Sequence, residues 1–450
     1  MDAAINYILS HFHRLYPQAA AVPVAWGTEA AATGVCIRKY SGDFFQQQSP
    51  HPLQVVWKEW QGKQVPFFFE EDAEPELISY YSGSATINYD IISSAFYLLS
   101  GWQEYHSTTH DSFGRFPYSA SMQAKHGFLT KPVVNYYFGI LKETMEKSTR
   151  VRLVQKQWPG QKSFATCLTH DIDRINSAWK VAGVQRLKKG QLLPFAKLAL
   201  RKLSGKDAWH NIPELMVFAA DHHLKATFFW MANSAKYHGH PNSDYDVASP
   251  ENQRQLQSLL QAGHEVGLHG GFGTSASVHQ LQQEAQELSV PVHGNRFHYL
   301  SYAPRTTPQV LDESGLRYDT TLGFAEHVGF RNSFCHPFYP FDFKSQRAHR
   351  FLELPLCLMD TTLYNPQYMH LRPSEVLPLL RPMLQEIKEF GGLLTLLWHN
   401  ENLSDYPERP LPEQERQWWQ VLQSILEETK AQGSTFLTCS EAADVFSTTT

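Results

Sequence analysis

The chain of 450 residues has five cysteines, and none of them forms a C-x-x-C pair. Cys36, Cys167, Cys335, Cys357 and Cys439 are odd in number, scattered and mostly set in apolar runs, which excludes a disulfide framework and a cysteine-based zinc site and leaves buried free thiols. Charged residues are scarce at 18%, and the formal net charge of −5 is thinly spread. The one basic cluster, "RLKKGQ" with "KLALRKLSGK" between 186 and 206, reads as a solvated excursion, so nucleic-acid binding finds no support. No stretch approaches the 18 apolar residues of a membrane span, and "MDAAINYILSHFHRLYP" lacks a basic segment followed by an apolar one. We therefore expect a cytoplasmic protein without an integral membrane segment. Hydrophobic residues at 42% and aromatics at 13% are ample for folded domains.

A composition break in "MEKSTRVRLVQKQWPGQKSF", residues 145 to 164, divides the chain. We place an N-terminal accessory domain at 1–155 and a second domain at 160–445. The first mixes strand-like runs ("LQVVWKEW", "QVPFFFEED") with helical ones ("DIISSAFYLLSGWQEY", "KPVVNYYFGILKETMEK"), and its His106 and His110 show no spacing that demands chemistry. In the second, short apolar runs ending in polar residues alternate with amphipathic helical stretches. Such alternation predicts parallel strands with right-handed crossovers, and seven or eight units suit an α/β fold of the (β/α) barrel type, distorted and seven-stranded. A doubly wound open sheet is the alternative. In a barrel, chemistry gathers at the C-terminal strand ends, where Asp171, Asp173, His269, Arg296, His298, Asp319 and His399 fall.

"GHEVGLHGG" is one residue away from the H-E-x-x-H zinc signature, but His264 and His269 are five apart. At about 100° per residue they share no helix face, and on a strand they point to opposite sides. The metalloprotease reading fails, and His269, at the end of a short buried strand, is the candidate ligand. In "THDID", alternation puts Asp171 and Asp173 on one face, and a shared site divides such a pair into one ionised ligand and one base.

Together these motifs resemble the polysaccharide deacetylase superfamily, that of the NodB-homology proteins and carbohydrate esterase family four, over roughly residues 160 to 445. "THDID" looks like the family's T-F-D-D, with Ile172 inserted; the resemblance implies that Asp171 is the catalytic base and Asp173 a metal ligand. "GHEVGLHGGFG" is similar to the H-S/T-x-x-H/S motif at His269, a metal ligand by that match, with Gly273 where the second histidine stands. "RFHY" resembles R-x-x-F/Y, implying that Arg296 orients the base and that the Tyr299 backbone helps hold an oxyanion. "LLWH" resembles L-x-H and makes His399 the general acid, with Asp319 of "YDTTLGF" in the place of the aspartate that tunes it. "KATFFW" looks like a family strand, and "SGWQEYHSTTHDSFGRFPYSAS" looks like a domain that precedes the barrel in some bacterial members.

A single strand-end histidine or arginine is more often structural than catalytic, but matches at five consecutive strand ends favour the catalytic reading. The resemblance implies a metal-dependent hydrolase that removes N-acetyl groups from an amino-sugar glycan or glycoconjugate, with a divalent cation such as Zn2+. O-acetyl ester or small-amide hydrolysis, or a metal-free saccharide-binding scaffold with Trp398, Trp418 and Trp419 in packing or stacking roles, are the alternatives. Gly273 leaves a ligand missing. His298 lies two residues after Arg296, on the same face of an extended strand, and is the candidate third ligand; His170 and solvent alone compete with it.

Overall fold

The computed structural model describes residues 2–27, 33–70, 76–205, 207–404 and 417–447. Its main sheet has nine strands: β1 (Ala165–Ile172), β2 (Ala226–Trp230), β3 (Glu265–Gly270), β4 (Gly294–Phe297), β5 (Tyr318–Asp319), β6 (Leu352–Glu353), β7 (Leu356–Met359), β8 (Leu393–Leu397) and β9 (Thr435–Phe436). Every pairing within this sheet is parallel. The order runs β6-β5-β4-β3-β2-β1-β8-β7, with β9 also on β1. Its two ends, β6 and β7, are separated only by Leu354 and Pro355 in one extended run, and Leu354 and Leu356 donate to the Asp319 and Leu322 carbonyls. The sheet therefore closes on itself through a broken strand, which is the distorted seven-position (β/α) barrel that the alternation predicts.

Burial on both faces explains why these strands read as near-continuous apolar runs, since helices cover the outside and side chains fill the inside. β1, β2, β3 and β8 have no exposed residue. The intervening helices bury one stripe each; Pro250–Gln261, capped by the Ser249 side chain, tucks in Leu256 and Leu259 and leaves Gln257 and Gln261 exposed. The last amphipathic stretch, "EQERQWWQVLQSILEETKAQG" from residue 413, is described as a helix from Gln417 to Ala431, its first residues lying outside the described ones. The basic segment is more ordered than its composition suggests. It forms two helices, Ala178–Lys188 and Leu192–Leu203, which pack on each other around Ala182 and Leu198.

The first 155 residues are a mixed α and β layer. A four-stranded sheet runs in the order Val24–Gly27, Gly34–Arg38, Ser84–Ile87, Ile78–Tyr81, a hairpin joins Val56–Trp60 to Lys63–Phe67, helix Val133–Thr149 packs against both, and helix Ile91–Leu99 packs on that helix. One hydrophobic core continues from here into the barrel. The contact includes a buried bidentate ion pair, with Arg331 Nε and Nη2 donating to the two Glu104 carboxylate oxygens at 2.8 and 2.6 Å. Among the described residues no helix is long and apolar enough to cross a membrane.

Candidate metal centre

The barrel's C-terminal rim brings Asp171, Asp173, His269, His298, Arg296 and His399 together. β1 carries Asp171 at its end and Asp173 just beyond it, and both line one cavity of about 430 Å3. β3 supplies His269, and its neighbour in register on β4 is Arg296. Space for this arrangement comes from Gly267, where a Cβ would meet the Phe229 ring at 2.5 Å. Phe229 in turn lies under the Arg296 guanidinium, 4.6 Å away. Arg296, wholly buried, donates Nη1 to Asp171 Oδ1 at 2.8 Å and to Thr169 Oγ1 at 2.8 Å, and Nε to the Thr320 carbonyl. The carboxylate and its counter-ion are thus fixed by a rigid stack rather than by a loop.

Asp173, His269 and His298 form a tight triad. Asp173 Oδ1 lies 3.2 Å from His269 Nε2 and 3.5 Å from His298 Nδ1, and the two ring nitrogens are 3.1 Å apart. His269 Nδ1 is 2.7 Å from the Arg296 carbonyl; a carbonyl only accepts, so Nδ1 carries the proton and Nε2 turns a lone pair to the triad. Asp173 Oδ1 is buried without an aligned hydrogen bond. A carboxylate oxygen and two imidazole nitrogens converging in a buried site are the donor set that a divalent cation takes. A tetrahedral ion with ligands at about 2.1 Å sets neighbouring donors about 3.4 Å apart, close to the spacings here. The residues present therefore fit a divalent cation, and among the described residues this is the cluster with that geometry.

His298 reaches this place by a different route from simple alternation. β4 ends at Phe297, and His298 begins a turn in which Tyr299 and Leu300 both have positive φ, 57° and 53°. His170, the competing candidate, is buried with Nδ1 on the Trp398 carbonyl. Gly273 has φ +100°, and a Cβ there would meet the Tyr237 ring at 2.8 Å, so the backbone at this position excludes a histidine.

The second carboxylate–imidazole pair is not the one read from the sequence. Asp319 does not meet His399: its carboxylate accepts from Asn295 Nδ2 at 2.7 Å and from the Thr321 amide at 2.9 Å, and burial pushes its pKa up. His399 Nδ1 is instead 2.7 Å from Oδ1 of Asp360, which also accepts the His399 amide and Asn402 Nδ2 on its other oxygen. Asp360 follows β7 directly. A strand-end carboxylate was visible in "RFLELPLCLMD", but nothing in the sequence linked it to a histidine 39 residues on.

Charge organises the centre. Burial opposes ionisation of Asp173, yet His298, His269 and His399 outweigh it and hold its carboxyl well below the usual carboxylate range. Burial lowers His298 to about 4 despite Asp173. At His269 burial is outweighed by Asp171, Asp173 and the Arg296 carbonyl, and the pKa rises. At His399 burial is likewise outweighed, first by Asp360 and then by Asp173 and Asp171, so its pKa stands well above the ordinary imidazole value. The rim thus presents an ionised carboxylate, a neutral imidazole and a protonated imidazole within one cavity; His399 Nε2 is 3.8 Å from Asp173 Oδ2.

Residues 13–150 match a family of unknown function, DUF7033. No curated protein matches the chain. Solved structures to which it is similar include a Mycobacterium smegmatis protein assigned as a polysaccharide deacetylase, 19% identical over 63% of this chain and 95% of that one, with a TM-score of 0.36. A polysaccharide deacetylase from Bacillus cereus is 13% identical over 61% of this chain and 91% of its own, with a TM-score of 0.30. A CE4-family pseudoenzyme from Bacillus anthracis is 13% identical over 64% and 67%, also with a TM-score of 0.30.

Proposed function

We propose that this chain is a metal-dependent hydrolase that removes N-acetyl groups from an amino-sugar-containing glycan or glycoconjugate. The observation that carries the proposal is the order of groups around the cavity: a base candidate on an arginine, a triad that fits a cation, and a protonated imidazole on a carboxylate. A divalent cation such as Zn2+, held by Asp173, His269 and His298, would acidify a water and polarise an acetamide carbonyl. Asp171, oriented by Arg296, takes the proton of the attacking water. His399, charged through Asp360, delivers a proton to the departing amine, which otherwise leaves as a poor amide anion. Asp319 then acts at one remove, by holding Asn295 and the turn at Thr321 beneath Arg296.

The same proposal includes the division into units at 1–155 and 160–445, supported by the family match over 13–150 and by the barrel's first strand at Ala165. It also includes a cytoplasmic setting, supported by the buried thiols Cys167, Cys335, Cys357 and Cys439, which form no disulfide. The test is acetate release by the purified protein from matched N-acetylated and O-acetylated saccharides. Release from the amides supports the reading; hydrolysis confined to esters makes the chain an O-acetyl esterase, and no hydrolysis with saccharide still bound makes it a scaffold.

A further inference from the structure

The segment "HDSFGRFP", His110 to Pro117, lies in the part matched to the family of unknown function, yet Phe113 and Arg115 line the same cavity as Asp171, Asp173 and His298. Its local chemistry makes it a self-contained loop. Asp111 Oδ1 accepts the Phe113 and Arg115 amides, both at 2.9 Å, while the Asp111 amide donates to the Arg115 carbonyl and Gly114 closes the turn with φ +76°. The Arg115 guanidinium folds back on Asp111 Oδ2 through Nε at 2.7 Å and Nη2 at 2.6 Å, and lies 4.8 Å from the centre of the Phe113 ring.

Nη1 points out of the loop and donates to the Tyr299 carbonyl at 2.7 Å. That carbonyl belongs to the peptide joining Tyr299 and Leu300, two consecutive residues with positive φ, a conformation disfavoured by any side chain with a Cβ. Phe113 also stacks on the Tyr299 ring, with centroids 4.9 Å apart and planes at 26°. The strained turn that swings His298 off the end of β4 is therefore held from outside the barrel, by a charged donor on its central peptide and an aromatic face on its side chain.

We infer that Arg115 is a positioning residue for the metal centre: by fixing the 299–300 peptide it fixes the His298 ring, so that the N-terminal unit completes the ligand set of the barrel. The inference rests on the proposed reading of His298 as a metal ligand. Simple adhesion between the two units is a separate matter, served by other contacts such as Arg305 Nε on the Tyr105 carbonyl, made by an exposed side chain.

The experiment titrates metal-free full-length protein with Zn2+ by calorimetry, for the wild type and for Arg115→Gln, Arg115→Lys and Arg305→Gln. Loss of a group that orients a ligand costs about tenfold or more in metal affinity. Arg115→Gln is expected to bind Zn2+ about tenfold more weakly, and Arg115→Lys, which restores one charged donor to the carbonyl, to recover part of that loss. Arg305→Gln is expected to match the wild type. With Co2+ in place of Zn2+, the visible absorption bands of Arg115→Gln are expected to differ from those of the wild type, because a displaced His298 alters the ligand field. Wild-type affinity in Arg115→Gln, or an equal loss in Arg305→Gln, overturns the inference and leaves the metal reading standing. A wild-type protein that takes up no Zn2+ overturns both.

Discussion

Replacing His298 by alanine isolates the contribution of the proposed third ligand. A four-ligand zinc site of protein donors is worth about 10–16 kcal/mol, or about 3 kcal/mol per ligand, and water replacing the lost imidazole returns part of that. About 3 kcal/mol is a factor of roughly one hundred in affinity. The geometry supports treating the loss as a ligand loss alone: His298 Nδ1 touches only His269 and Asp173 in the triad, whereas His269 also satisfies the Arg296 carbonyl through Nδ1. His298→Ala should therefore weaken Zn2+ binding about a hundredfold with little change in melting temperature, while His269→Ala should lose both metal and stability. Competition against a coloured chelator measures the first and thermal unfolding of the metal-free protein the second. An unchanged Zn2+ affinity in His298→Ala would exclude His298 as a ligand and leave a two-ligand site completed by water.

Asp171→Asn should keep metal affinity within a few-fold of wild type and abolish acetate release, because Oδ1 of Asp171 is committed to Arg296 and the triad is formed by Asp173; Asp173→Ala should lose both. Equal metal loss in the two variants would contradict that division. His399 has its folded pKa raised, so its protonated form and the stability of its pairing with Asp360 are complete below about pH 6.5 and disappear only as the pH rises through the folded value. Asp360→Asn should move the alkaline limb of kcat/KM to lower pH, and His399→Ala should slow amides far more than activated aryl esters; an unmoved limb would count against Asp360. Glu104→Ala strands the buried Arg331 guanidinium and should cost about 3–5 kcal/mol in urea unfolding, whereas a cost under about 1 kcal/mol would mean that the interface relaxes or admits water.

The barrel was legible because parallel strands buried on both sides leave continuous apolar runs with polar ends, and "ATCLTHDI", "ATFFW" and "LLTLL" are of that kind. Closure was not: β6 and β7 read as one strand in "RFLELPLCLMD", and their division across Pro355, which joins the sheet's two ends, depends on long-range pairing. Within the site, Asp171 and Asp173 followed from alternation along one strand. His298 came out of the same rule, although the chain leaves the strand at Phe297 and a left-handed turn delivers the ring. Asp360 and Arg115 were hidden for a common reason: each acts on a partner distant in sequence, His399 and Tyr299, and no local pattern encodes such a pair. The basic segment is solvated as read, with Lys188, Lys189 and Lys197 exposed, but its two helices were not legible, because only a small apolar face around Ala182 and Leu198 orders them.

The proposed function requires one divalent cation on Asp173, His269 and His298. The direct measurement is a titration of chelator-stripped protein with Zn2+, following acetate release from an N-acetylated amino-sugar oligomer at each step. No release is expected without metal, and the rise is expected to break at one equivalent per chain. Equal release before and after chelation would contradict it.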